Sequence, residues 1–313
     1  MKNKYLISII GPTAIGKTAV SIPIAQHFNT EIISGDSRQF YKEMAIGTAV
    51  PSEEELTAVQ HHFIQSISIH DEYSVGHFET DAIKLLEELY QNHDTVVIVG
   101  GSGLYVDAVL KGLDDFPKVN PQIRKQLKSD LERYGITYLQ EKLKELDFET
   151  YQKIELQNTH RVIRALEIGM GTDKPYSYYI KNAAKKRNFI PIKIGLVADR
   201  PIIYDRINQR VDLMIQNGLL EEATQLKEFE NLNALQTVGY RELFQYLNQE
   251  ITLDFAIEEI KKNTRRFAKR QLTWFRKDSE ITWFDWKTKK EDIIQHIEQQ
   301  ILNHEKNNLS NNP

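Results

Sequence analysis

The chain has 313 residues, 41% hydrophobic and 27% charged, enough to bury one large core or two smaller ones. It holds no cysteine, which excludes disulfides, thiolate zinc sites and a cysteine nucleophile, and its net charge of -4 means that any nucleic-acid partner must be met locally. No run approaches the roughly 20 apolar residues of a membrane span, and the first apolar run, Tyr5 to Ile10, is too short for a signal-peptide core, so a soluble cytoplasmic protein with no membrane partner is expected.

Tyr5 to Ile10, Glu31 to Ser34 and Thr95 to Val99 are short Ile- and Val-rich runs bounded by Gly or Asp, as strands buried in a parallel sheet should be. With helical patterns between them, they predict an α/β domain. Directly after the first run, Gly11-Pro12-Thr13-Ala14-Ile15-Gly16-Lys17-Thr18 fits G-x-x-x-x-G-K-[ST] and leads into an apolar helix expected over Ala19 to Phe28. In that context the loop is a phosphate cradle. Its backbone N–H groups and the helix N-terminus face an anion, Lys17 adds a full charge, and the Thr18 hydroxyl is a ligand for Mg²⁺. The pattern specifies a di- or triphosphate and leaves the chemistry, ATP binding included, open.

P-loop hydrolases and kinases commonly carry an acid at the end of another core strand. Here the run Thr95 to Val99 ends in Gly100-Gly101-Ser102-Gly103, with a hydroxyl and no carboxylate. The acid follows the second run instead, at Asp36 in Ser34-Gly35-Asp36-Ser37-Arg38-Gln39, at the sheet edge where ligands of open α/β sheets bind. Asp36 reads as a general base or as a turn cap, and position alone leaves both open. His61-His62 lacks further ligands at a recognisable spacing and reads as packing rather than metal.

From Asn120 to residue 182, Lys, Glu, Gln and Leu recur at helical spacing without a β-branched run. Strand character returns at Ile192 to Val197; Pro201 opens a helix that Asn217-Gly218 closes. Arg210 lies one turn beyond Arg206 on that helix and, by itself, reads as a surface ion-pair partner. Another helix is expected over Leu253 to Phe275, an edge strand over Ile281 to Trp286, and disorder from Asn307 to Pro313. The expected organisation is a P-loop core over residues 1–118, a helical insertion over 119–190, core completion with a basic helix over 191–290, and a helix and tail over 291–313.

Residues 261–277 hold eight basic side chains and no acidic one, with Phe267, Trp274 and Phe275 interleaved. A cationic helix suits a nucleic-acid backbone; a solvated face with its aromatics in the core explains the same composition, so composition alone leaves RNA binding open. His160-Arg161-Val162-Ile163-Arg164 is a weaker basic cluster.

The phosphate loop, Asp36-Ser37-Arg38-Gln39, Gly100 to Tyr105, Arg161 to Glu167, Val238-Gly239-Tyr240-Arg241 and Lys269-Arg270-Gln271-Leu272-Thr273-Trp274-Phe275-Arg276 together resemble the tRNA dimethylallyltransferases, in order and spacing from Tyr5 to Trp286. The resemblance implies a P-loop NTPase-like, kinase-like core with a helical insertion. It also implies transfer of the dimethylallyl group of dimethylallyl diphosphate to N6 of adenine 37 in the tRNA anticodon loop, with Mg²⁺; the sequence leaves oligomeric state open, with a monomer as the default expectation. By that comparison Asp36, Ser102 and Arg210 are catalytic, and Gly11 to Thr18 hold the diphosphate. Contacts to tRNA would come from Asp36, Ser37, Arg38, Gln39, Ser102, Arg124, His160 to Arg164, Val238-Gly239-Tyr240-Arg241-Glu242-Leu243 and Asn263-Thr264-Arg265-Arg266-Phe267-Ala268-Lys269-Arg270. Ser102 stands where the family usually has Thr, Ile15 where it usually has Ser, and Gly35 where a larger residue is common. The competing readings are a P-loop nucleotide or metabolite kinase, an isopentenyltransferase acting on free adenine nucleotides, and a non-enzymatic RNA-binding module with a relict nucleotide site. The basic helix argues against the first two and the retained Asp36 and Ser102 against the third.

Overall fold

The structure, a computed structural model, describes residues 3–181 and 184–310, the last three by backbone alone. Residues 182 and 311–313, which end the expected helical segment and the expected tail, lie outside the described residues.

Six strands form one parallel sheet in the order β3-β2-β4-β1-β5-β6: β1 (Tyr5–Ile10), β2 (Ile32–Ser34), β3 (His61–His62), β4 (Thr95–Gly100), β5 (Ile190–Val197) and β6 (Thr282–Asp285). The central strands β1 and β4 are buried at every position, which is why they read as unbroken Ile and Val runs rather than alternating ones. The two-residue strand β3 gives His61-His62 a place: His61 Nδ1 meets the Val59 carbonyl at 2.8 Å and His62 Nε2 meets Glu31 at 2.5 Å.

Between the strands run α1 (Lys17–His27), α2 (Glu53–Ala58), α3 (Val75–Leu89) and α4 (Gly103–Lys111). Beyond residue 186 come α9 (Arg200–Gln216), α10 (Leu219–Gln225), α11 (Tyr240–Leu247), α12 (Leu253–Phe275) and α13 (Lys290–Ser310). One face of the sheet packs against α1, α9 and α13 through Ile24, Ile203, Ile207, Ile293 and Ile297. The other packs against α3 and α4 through Phe78, Leu86, Val106 and Val109. Helix α13 continues to Ser310, which corrects the disorder expected from Asn307. In the sheet itself Lys193 is buried, and Asp278 and Glu280 neutralise it at 2.8 and 2.6 Å.

The chain divides into two compact units, residues 1–110 with 187–313, and residues 111–186. The second is helical: α5 (Pro121–Leu146, broken at Gly135 with φ 77°), α6 (Phe148–Lys153), α7 (Thr159–Gly171) and α8 (Tyr176–Tyr179). Its own core is built from Leu127, Leu139, Leu143, Val162 and Leu166.

A third cluster in the first unit joins α9 to α12 through Val211, Leu219, Leu243 and Ile260. There one carboxylate orders a loop. Glu222 accepts the N–H groups of Ala45, Ile46 and Gly47 at 2.8–2.9 Å and the Tyr240 hydroxyl at 2.6 Å. Replacing Glu222 with Ala strands four donors at once, and we expect a loss of about 3 kcal/mol in urea unfolding. A loss below about 1 kcal/mol would mean that water satisfies the loop instead.

Candidate active site

The loops leaving β1, β2 and β4 meet at the carboxyl edge of the sheet. Gly100 permits the meeting: a Cβ there would lie 2.6 Å from the Gly35 carbonyl oxygen, and the Gly35 N–H donates to Val99 at 2.7 Å. The turn carrying Asp36 is thus packed backbone to backbone on the turn carrying Ser102.

The phosphate loop runs through left-handed residues at Ala14 (φ 63°) and Gly16 (φ 101°). For alanine that conformation costs roughly 1–2 kcal/mol, and the Ala14 carbonyl is held by Arg206 Nε at 2.7 Å. Helix α1 then starts without a side-chain cap or a first-turn acid, leaving its N-terminal N–H groups for an anion. Lys17 Nζ donates to the Pro12 carbonyl at 2.9 Å and Arg210 to the Thr13 hydroxyl at 3.3 Å. Burial, partly offset by Asp36, holds the Lys17 ammonium down at about 8. Burial, reinforced by Arg206, likewise lowers the Arg210 guanidinium. Arg210 is therefore not the surface ion-pair partner that its helix position suggested: among the described residues neither it nor Lys17 makes an ion pair, and both wait on a negative charge.

Asp36 Oδ1 accepts the Arg38 N–H at 3.2 Å, so the turn-capping reading holds, while Oδ2 is free among the described residues. Ser102 Oγ accepts the Ser37 N–H and shares a proton with Ser37 Oγ, each at 3.1 Å. Asp36, Ser37, Ser102, Thr13 and Arg210 all line one cavity of about 380 Å³. Val211, Met214, Leu219 and Ile260 form its apolar wall and Thr264, Phe267 and Arg270 a side on α12. Two side chains of α12 reach deeper. The Gln271 amide takes the Thr13 N–H and donates to the Gly101 carbonyl, both at 2.9 Å, and Trp274 Nε1 donates to Asp107 at 2.8 Å.

The IPP transferase family model matches residues 39–278. A tRNA dimethylallyltransferase of Christiangramia forsetii is 60% identical over 96% of this chain and 99% of its own length. The chain belongs to the tRNA dimethylallyltransferase family, and it is an enzyme. A second relative of that description, from Flavobacterium johnsoniae, is 58% identical over 94% of this chain and 97% of its own. The full-length tRNA isopentenylpyrophosphate transferase of Bacillus halodurans superposes with a TM-score of 0.71 at 38% identity, covering 99% of both chains. A eukaryotic dimethylallyltransferase acting on tRNA gives 0.79 at 26% identity, over 99% of this chain and 80% of its own. The parallel sheet and its glycine–lysine loop are accordingly a P-loop NTPase-like core.

Family membership singles out residues that the fold then sorts. Val162, Ile163, Tyr240, Leu243 and Ala268, all among the expected tRNA contacts, are buried, and their side chains fill cores. Buried Glu242 caps the Gly239 N–H at 2.9 Å and accepts from Asn263 at 2.8 Å. Gln39 is spent on Ser34 and the carbonyls of Thr48 and Ala49 and does not line the cavity. Arg38 lines it, with its guanidinium tied to the carbonyls of Asn233 and Ala234. In the helical unit Arg124 and Arg164 converge on buried Glu167 at 3.1 and 2.8 Å, while His160 and Arg161 are exposed. Val238, Gly239 and Thr264 line the cavity and Arg241 is exposed.

On α12, Lys261 pairs with Asp212 and Glu258, Lys262 with Glu259, and Arg265 bonds Asn208 at 2.7 Å. Arg266, Lys269 and Arg270 are exposed. Phe267 is 38% exposed with Arg270 over its ring at 5.7 Å, whereas Phe275 is buried, so the aromatics divide between surface and core. Sequence reasoning did not single out Gln271, Trp274, Arg206 or Glu222 as position-holders; the glycines at 100–103 were the one signal that something packs closely there.

An alkyl diphosphate, fully ionised above about pH 7 because its last ionisation resembles a phosphomonoester's near 6, should raise the Lys17 pKa from about 8 on binding. Binding at about pH 8.5 should therefore take up most of one proton, and at about pH 6.5 none. Calorimetry in buffers of different ionisation enthalpy measures this, and Lys17→Met should abolish the uptake.

Proposed function

We propose that this chain transfers the dimethylallyl group of dimethylallyl diphosphate to N6 of adenine 37 in tRNA, releasing diphosphate. The observation that carries the reading is one cavity lined by Asp36, by the desolvated Arg210 and by Thr13 of the phosphate loop, with the second desolvated cation, Lys17, beside Gly101 of that lining. The apolar wall of Val211, Met214, Leu219 and Ile260 suits a five-carbon allyl group.

The adenine amine is a weak nucleophile because its lone pair is delocalised into the ring. Asp36 Oδ2 takes its proton as nitrogen attacks carbon-1 of the allyl group and the carbon–oxygen bond to diphosphate breaks. The charge gathering on diphosphate is met by Lys17, Arg210 and the uncapped N–H groups of α1, already desolvated and in place. Ser102, bonded to Ser37, holds the Asp36 turn and faces the reacting groups. Mg²⁺ fits as a guest of the diphosphate: the Thr18 hydroxyl stands in the first turn of α1, and the described residues hold no cluster of three His, Cys, Asp or Glu, which suits an ion that keeps phosphate oxygens and water as its main ligands. Bound there it neutralises leaving-group charge.

Arg266, Lys269 and Arg270 meet the phosphates of the anticodon arm, and Phe267 offers a ring for stacking. Adenine 37 lies in a loop, so turning it into the cavity costs only a few kcal/mol. The working form is a cytoplasmic monomer, and no described helix is long and apolar enough to cross a membrane.

Incubation with undermodified tRNA and dimethylallyl diphosphate, followed by nucleoside mass spectrometry, should find one five-carbon unit added to adenosine; unmodified adenosine would reject the reading. Asp36→Ala should lower kcat by about 10²-fold or more while tRNA affinity stays level, and equal losses in both would remove Asp36 as the base. Neutralising Arg266, Lys269 and Arg270 together should reduce the slope of log K against log salt by about 2. An unchanged slope would move the RNA elsewhere.

A further inference from the structure

We propose that Gln271 is a positioning residue for this reaction: its side-chain amide holds the phosphate loop and the Ser102 loop in register and fastens both to the basic helix α12. The inference rests on reading the cavity as the diphosphate and adenine site.

Gln271 is 6% exposed and comes directly after Arg270, the last of the exposed cations expected to face RNA. Its Oε1 accepts the Thr13 N–H and its Nε2 donates to the Gly101 carbonyl, both at 2.9 Å. Thr13 is the residue whose hydroxyl holds Arg210, and Gly101 precedes Ser102, whose Oγ holds Ser37 beside Asp36. Hydrogen bonds joined by single covalent steps through Thr13, Gly101–Ser102 and Asp36–Ser37 therefore connect Arg210 to Asp36, and Gln271 is the link between the two loops. The link needs an acceptor on one side and a donor on the other, which an amide supplies and a carboxylate or a hydrocarbon does not.

The loop sequence makes room for it. A Cβ on Gly101 would collide with Gln271 Nε2 and stand 3.5 Å from Lys17 Nζ, so the amide and the ammonium border the same glycine. A Cβ on Gly103 would strike the indole of Trp274, the next residue along α12 to reach the core on this side, itself anchored to Asp107. Two glycines of one loop are thus matched to two side chains of one helix. A slip of about 1 Å between reacting groups can cost about 10²-fold in rate, and the amide is what prevents a slip between these loops.

The near-isosteric Gln271→Met fills the same space without either bond. It should lower kcat by about 30-fold or more and weaken binding of inorganic diphosphate, measured without tRNA, by about tenfold, while tRNA affinity stays near wild type and the thermal midpoint falls by only the few degrees that two lost bonds cost, well above the assay temperature. Gly101→Ala should show the same pattern in the wild-type background and cost less than about threefold further in a Gln271→Ala background, where the amide it strikes is gone. Unchanged kcat and diphosphate binding in Gln271→Met, losses matched by a thermal midpoint fallen to the assay temperature, or additive losses in the double variant would each overturn the proposal. Should the wild type bind diphosphate but leave tRNA unmodified, the functional reading fails alone, and weaker diphosphate binding by Gln271→Met still supports the positioning role.

Discussion

Two cations taken out of water with no ion-pair contact among the described residues, and with Asp36 offsetting only part of the cost, are the constraint around which the first unit is arranged. An ammonium or guanidinium so placed is costly, and the cost is recovered only when an anion arrives. The fold holds Lys17 and Arg210 there by hydrogen bonds to the Pro12 carbonyl and the Thr13 hydroxyl, with Asp36 as a partial counter-charge. The strained Ala14 and the bare N-terminus of α1 belong to the same arrangement: each keeps the loop shaped for a phosphate that the protein itself does not imitate.

The other strand ends complete the cavity. A hydroxyl follows β4 and a carboxylate follows β2, and both line the cavity together with Thr13 of the phosphate loop and the apolar side chains Val211, Met214, Leu219 and Ile260. In the proposed reaction that arrangement treats diphosphate as the group that leaves. Gly100 brings the β2 and β4 turns into backbone contact, Ser102 bonds the residue after Asp36, and Gln271 bonds the β4 turn and the phosphate loop.

The basic helix shows how one element serves two purposes. Its buried stripe, with Ala256, Ile260, Ala268 and Phe275, packs into the first unit, and its exposed stripe carries Arg266, Lys269 and Arg270. Cations near the start of the run are neutralised within the fold by Asp212, Glu258 and Glu259. The exposed positive charge is thus left to Arg266, Lys269 and Arg270, of which Arg270 lines the cavity with Phe267, and to Arg276 and Lys277 beyond the helix. A tally of basic residues overstates the surface offered to RNA, and helix geometry corrects it.

The sequence by itself determined the strands β1 and β4, the phosphate loop, the bounds of α12 and the family, because these depend on local patterns: unbroken apolar runs, a glycine–lysine spacing, a helical period. It left Asp36 between base and cap, and Arg210 between catalysis and a surface ion pair, because those distinctions are made by neighbours distant in the chain. Tertiary structure decided that Arg210 meets Thr13, that Gln39 and Glu242 are spent on backbone, and that Val162, Ile163, Tyr240, Leu243 and Ala268 are core. A motif marks a stretch of chain, but which of its side chains face the cavity is set by the facing element. Gln271 is the clearest case: 170 residues separate it from the carbonyl it holds, and no local pattern reports a bond of that span.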